Sequence, residues 1–173
     1  KYLKLSGIQI HDIQENHKNE LIIWPETAIA ALELNMQSFL QTLSSTLQLN
    51  EQSLLTGIVT YNSKNKEYFN SIITLGNTSE GESYSATSSN RYQKHHLLPI
   101  GEFVPFESLL RPLAPYFNLP MSSFHQGKEI QSNLHVNGTT IASALCYERA
   151  FPELLRKNIH KNTGIILTVS NDA

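Results

Sequence analysis

One cysteine, one tryptophan and two methionines stand among 173 residues. A single thiol, Cys146, excludes an internal disulfide and any multi-cysteine metal site. Charge is scarce, at 16% of residues, and balanced, with 13 Lys and Arg against 15 Asp and Glu. A nucleic-acid binder carries a basic excess, and this chain has none. No apolar run approaches the ~18 residues of a membrane-spanning helix. The start, Lys1-Tyr2-Leu3-Lys4, has no secretory signal pattern. Phosphate-binding glycine loops, a Gly-x-Ser-x-Gly elbow and a His-Glu-x-x-His pattern are all missing. His95 and His96 are adjacent, so in an extended segment their rings point to opposite faces. Neither a metal nor a cofactor is expected.

What is present is a core. Hydrophobic residues make up 40% of the chain, enough for one domain of ordinary size. Tyr2–Ile10 reads as a strand, and Leu21-Ile22-Ile23-Trp24 as a strand buried on both faces. Ala28–Leu49 has helical spacing, with Ile29, Leu32, Met36, Phe39, Leu40, Leu43 and Leu47 on one stripe and Thr27 as N-cap. Leu54–Thr60 and Tyr68–Leu75 flank a polar turn and predict a hairpin. Ser83–Arg91 is a weakly patterned strand, and Phe106–Leu113 a short helix stopped by prolines. Asn137-Gly138 between Leu134–Val136 and Thr140–Leu145 predicts a second hairpin. Phe151–His160 reads as a helix and Gly164–Val169 as a last buried strand. The result is a mixed sheet with helices packed on it, an α/β fold. The polar stretch His11–Glu20 is shorter than a parallel crossover needs, and the chain stops just past a strand. Both suggest a piece of something longer.

Three residues each follow a strand-like segment. Taken alone, Cys146 reads as a buried small hydrophobe, as free cysteines usually are. Placed between a strand end and a helix N-terminus, it would also feel unpaired N–H groups that lower a thiol pKa. Glu26, in Trp24-Pro25-Glu26-Thr27, is either a first-turn carboxylate favouring a helix dipole or a group aimed into a crevice. Lys94 reads singly as a surface lysine. Yet Lys94 and Glu102 are the only formal charges in a rigid apolar loop that runs to Pro105.

Jointly, Glu26, Lys94 and Cys146 resemble the glutamate, lysine and cysteine of the nitrilase (carbon–nitrogen hydrolase) superfamily, in that order. The longer strings are similar to its apolipoprotein N-acyltransferases. They are Ile23-Trp24-Pro25-Glu26-Thr27-Ala28-Ile29, Gly101-Glu102-Phe103-Val104-Pro105, Cys146-Tyr147-Glu148 and Ser170-Asn171-Asp172-Ala173. The resemblance implies a nitrilase-like α-β-β-α sandwich, here a single domain incomplete at its ends. It implies that Glu26 is the general base, Lys94 stabilises the transition state and Cys146 is the nucleophile. Glu102 matches a supporting glutamate, and Tyr147 and Glu148 match functional positions beside the nucleophile. Family members carry a further tryptophan before the glutamate, whereas Trp24 stands alone here.

By the same resemblance, residues 1–173 are the catalytic domain of a longer inner-membrane protein and face the periplasm. The donor would be a phospholipid, the acceptor a diacylated lipoprotein, and the membrane surface a partner. The stretch from Leu109 to Phe124 has Arg111 as its one formal charge. Its Leu109, Leu113, Phe117, Met121 and Phe124 suit either an acyl-chain path or ordinary core under a loop. Two rivals share the Glu-Lys-Cys set: an amidase or nitrile hydrolase with water as acceptor, and a non-catalytic binding module.

Overall fold

The hairpin between residues 53 and 76 organises the fold of this computed structural model, which describes residues 1–8, 20–78, 84–99, 102 and 124–171. Strands β3 (Ser53–Asn62) and β4 (Glu67–Gly76) pair antiparallel along their whole length. Two short strands run parallel to β3 one after the other: β1 (Leu21–Ile23) against Ser53–Leu55, and β2 (Ile29–Leu32) against Ile58 and Val59. Between β1 and β2 the chain leaves the sheet, and Glu26 sits on that excursion. Strand β5 (Arg91–Gln93) pairs antiparallel with Ser71–Ile73 of β4. Lys94 follows β5 directly, and its backbone N–H donates to the Asn70 carbonyl at 2.8 Å.

A second sheet holds β6 (Leu134–Val136), β7 (Thr139–Leu145) and β8 (Ile165–Val169). The β6–β7 turn places Asn137 at φ 50° and Gly138 at φ 71°, the left-handed pair that a tight hairpin needs. Cys146 follows β7 directly and opens a 3₁₀ turn, Cys146–Ala150, which leads into helix α3 (Pro152–Lys157) with Pro152 in its first turn. Two cores result. Helix α2 (Gln37–Leu49) buries Leu40, Leu43 and Leu47 against Leu54, Ile58, Ile73 and Leu75. Between the sheets, Leu55, Ile72 and Tyr92 meet Leu134, Val136, Ile141, Leu145 and Val169.

Four sequence expectations are corrected. Tyr2–Leu5 is a helical turn, α1, and not a strand. Tyr2 and Leu3 pack on the first core while Leu5 is exposed, a split that a helix gives and a strand denies to Leu3 and Leu5. The predicted helix from Ala28 starts only at Gln37. Ile29–Leu32 instead finds a partner in β3, and Thr27, the supposed cap, sits at φ 52°. Glu33 then anchors the turn, because Arg91 and the Tyr84 hydroxyl both donate to its carboxylate at 2.8–3.3 Å. Ser83–Arg91 is not a strand over residues 84–90; pairing begins at Arg91. Strand β1 is not buried on both faces, nor is β8 a buried strand throughout: Ile23, Ile165 and Ile166 are exposed. The predicted helix Phe106–Leu113 lies outside the described residues.

Candidate active site

Glu26 reaches its place through a close crossing. A Cβ on Gly57 would lie 2.5 Å from the Thr27 backbone nitrogen and 2.7 Å from the Glu26 Cα. Only glycine lets the excursion between β1 and β2 press onto β3 there. Thr27 pays for the turn with its positive φ, a strained state for a β-branched residue. The Glu26 carboxylate is consequently buried, with 6% of the residue exposed.

Lys94 is no surface lysine: it is 1% exposed and among the largest fully buried side chains. Its Nζ donates to Glu26 Oε1 at 3.0 Å and to Glu102 Oε1 at 2.9 Å, with Glu102 Oε2 at 2.8 Å. Burial works against the ammonium, but the Glu102 and Glu26 carboxylates outweigh it, and the lysine pKa lies above its ordinary value. Asn70 completes the group. Its Nδ2 donates to Glu26 Oε1 and Glu102 Oε1, both at 2.8 Å, so one amide and one ammonium bridge the same two carboxyl groups. Its buried Oδ1 has no hydrogen-bond partner among the described residues. Sequence reasoning missed Asn70; the available signal was an asparagine in the middle of a predicted strand.

Cys146 comes from the other sheet. Its φ of 47° is the left-handed region, which lifts the side chain off the end of β7 at a sharp strand-to-helix turn. The Glu26 carboxylate, the Lys94 ammonium and the Tyr147 backbone N–H all act on the thiol. Burial and the Glu26 charge push the thiol pKa up, against Lys94 and that N–H, which pull it down. The expected lowering by a helix N-terminus is therefore overturned: desolvation and a facing carboxylate win, and the resting group is a thiol.

Glu148 is fully buried and fixes the elbow. Its Oε2 accepts from the Leu145 N–H at 2.7 Å and the Tyr92 hydroxyl at 2.8 Å. Its Oε1 accepts from the backbone N–H groups of His95 at 2.7 Å and His96 at 3.0 Å. One carboxylate thus ties the residue before Cys146 to the two residues after Lys94. Curling around it also brings the His95 and His96 rings together edge-on, centroids 5.0 Å apart, instead of onto opposite faces. Tyr147 is half-exposed and meets the Phe151 ring edge-on.

A cavity of about 310 Å³ gathers these groups: Glu26, Asn70, Lys94, Glu102, Phe124 and Cys146 line it, with Thr27, Leu98 and Asn171. Of the apolar loop residues, Phe124 is at this wall; Leu109, Leu113, Phe117 and Met121 lie outside the described residues. A second cavity, about 300 Å³, is lined by Cys146 with Leu98, Tyr147, Arg149 and Ala150. The arrangement offers a thiol, a carboxylate and an ammonium on one cavity, with a further cavity also lined by the cysteine. That is the equipment of nucleophilic attack on a carbonyl.

Known proteins share this chain's sequence and fold. It is 51% identical over 160 residues to the apolipoprotein N-acyltransferase of Vibrio parahaemolyticus, covering 92% of this chain and 31% of that protein. It is 46% identical over 177 residues to the apolipoprotein N-acyltransferase of Shewanella oneidensis, covering 100% of this chain and 32% of that protein. The chain therefore spans about a third of the length of these relatives. Among solved structures, a carbon–nitrogen hydrolase from Helicobacter pylori superposes with a TM-score of 0.57 at 15% identity, over 87% of this chain and 47% of that one. An amidase from Nesterenkonia superposes with a TM-score of 0.54 at 16% identity, over 87% and 51%. The nitrilase-like α/β fold expected from the sequence is the fold observed. The family profile of the carbon–nitrogen hydrolases matches residues 4–173, nearly the whole sequence, and the chain belongs to that family.

Proposed function

We propose that this chain is the catalytic domain of an N-acyltransferase, part of a longer bacterial inner-membrane protein, with its active site facing the periplasm. The donor is a phospholipid, and the acceptor is the free α-amino group of a diacylglyceryl-cysteine lipoprotein. The observation that carries the reading is the convergence of Cys146, Glu26 and Lys94 on one cavity, in a chain whose relatives bear the acyltransferase name. No helix among the described residues is long and apolar enough to cross a membrane, so contact with the bilayer belongs to the surface of this domain or to other parts of the protein.

The reaction runs in two halves. Because the thiol's pKa is raised, no standing thiolate waits for substrate; Glu26 takes the proton as sulfur attacks the ester carbonyl. The carbon–sulfur bond forms and the carbonyl oxygen takes the negative charge. The Lys94 ammonium and the Tyr147 N–H lie where they can meet that charge. Collapse breaks the ester C–O bond. Glu26 returns its proton to the leaving oxygen, and lysophospholipid departs from an acyl-thioester on Cys146. The acceptor amine then attacks the thioester, passes a proton to Glu26, and the carbon–sulfur bond breaks. That proton restores the thiol, and the product amide leaves. Glu102 and Asn70 hold Lys94 and Glu26 in place throughout; Glu148 holds the elbow.

The test is to incubate the protein, as its gene encodes it, with phospholipid and a diacylated lipopeptide. N-acylated peptide is expected from the parent and none from Cys146→Ala, with an acyl-thioester trapped on the parent when acceptor is withheld. Free fatty acid without N-acylated peptide would identify the hydrolase instead. Full function in Cys146→Ala would identify a binding module.

A further inference from the structure

Beside the reaction cavity lies another of about 320 Å³, lined by Ala30, Ala31, Leu32, Val59, Tyr68 and Phe124. No charged side chain is in that lining. We propose that this groove holds the hydrocarbon tail of the donor's acyl chain while its carbonyl carbon is bonded to Cys146. The inference rests on the acyl-transfer reading and names where the chain goes.

Three observations carry it. Phe124 lines both cavities, so the groove adjoins the place where the carbonyl reacts. The wall is held in position: the Phe124 N–H donates to the Glu102 carbonyl at 2.8 Å, and the His125 N–H to the Tyr68 carbonyl at 2.7 Å. The reaction cavity itself is lined by Glu26, Lys94 and Glu102, which makes it a poor host for methylenes, so a long chain must leave it. The second cavity lined by Cys146 carries the Arg149 cation and is less suited to hydrocarbon. Part of the space in the groove comes from the small side chain of Ala30 on β2; Ala31, the next residue, packs on the first core. Ala30 is exposed on the outer side of that strand, so a larger residue there fills the groove and not the core.

Ala30→Phe, with Ala30→Leu as the milder filler, tests this. Each is made in the protein as its gene encodes it, and thermal unfolding checks that it is folded. Acyl transfer to one fixed lipopeptide is measured with hexadecanoyl and with octanoyl phospholipid donors. The kcat/KM ratio of long over short donor is expected to fall at least about tenfold in Ala30→Phe, the scale of a blocked methylene pocket, and by less in Ala30→Leu. A ratio within twofold of the parent in both variants overturns the inference while leaving the acyl-transfer reading intact. A parallel series holds the donor and varies the acceptor's chains; a fall confined to that series also overturns it, because the groove then serves the acceptor. A parent that transfers no acyl group from either donor overturns the reading itself, and the groove assignment with it.

Discussion

Lys94 carries a charge into a place where burial works against it. Two carboxylates keep it there, so charge at this site is a property of the set and not of any member. Glu102→Gln tests the balance. With one carboxylate gone and burial unchanged, the lysine pKa falls, and the high-pH limb of kcat/KM is expected to move down by about one pH unit or more. Asn70→Ala removes a neutral bridge instead, so kcat is expected to drop with that limb left near its parent position. Equal limbs in parent and Glu102→Gln would show that the Lys94 charge is not what the reaction needs. The sign for stability follows from the same shift. Since the folded-state pKa is raised, Lys94 contributes stability that is complete below its unfolded value, about 10.4, and lost as pH rises through the higher folded value. At this scale the sequence was partly legible. The strings around Glu26, Lys94, Glu102 and Cys146 singled out residues that line one cavity, but the thiol's pKa direction was misjudged. A helix dipole can be read from local sequence; a carboxylate arriving from a different sheet cannot.

Among the elements, the 3₁₀ turn after β7 depends most on one side chain. Each Glu148 oxygen accepts two donors, and at least one donor on each is a backbone N–H that cannot rotate away. Glu148→Gln must therefore set its NH₂ against a backbone N–H whichever way the amide is placed, and about 1–3 kcal/mol of stability should be lost. Placed toward Tyr92, the amide keeps a hydroxyl that can turn to accept; Tyr92→Phe alone removes one bond and should cost about 1 kcal/mol. In the double variant that accommodation is gone, and the loss should exceed the sum of the singles. Urea unfolding gives the energies, and the rate of Cys146 acylation reports whether the elbow has moved. A double variant no worse than additive would remove Tyr92 from this argument. Element by element, what the sequence revealed was what local chemistry decides. The β3–β4 and β6–β7 hairpins follow from their turns, and the Leu40, Leu43 and Leu47 stripe from its helical spacing. Ile29–Leu32 misled because its spacing fits a helix, and only β3, more than twenty residues on, makes it a strand.

Across the whole molecule the site straddles two sheets, and two cores have different duties. Glu26, Asn70 and Lys94 stand on the larger sheet, and Cys146 on the smaller. The core between the sheets, with Ile141 and Leu145 facing Leu55, Ile72 and Tyr92, sets how far apart those two parts sit. The core under α2 packs the outer side of the larger sheet and touches neither the elbow nor β7. Equal losses of stability in the two cores should therefore have unequal chemical consequences. Ile141→Ala and Leu43→Ala each delete a side chain that is 0% exposed, and each should cost about 2–5 kcal/mol by transfer and cavity terms. Well below their melting temperatures, where both variants are folded, Leu43→Ala should acylate Cys146 at close to the parent rate. Ile141→Ala lets the sheets settle toward one another over the empty space, and small misplacement of a reacting group is costly, so its acylation rate should fall by about tenfold or more. Thermal unfolding and single-turnover acylation on the same preparations make the comparison. If both variants kept the parent rate, the distance between thiol and carboxylate would be held by the Glu148 cluster alone, and the inter-sheet core would serve stability only.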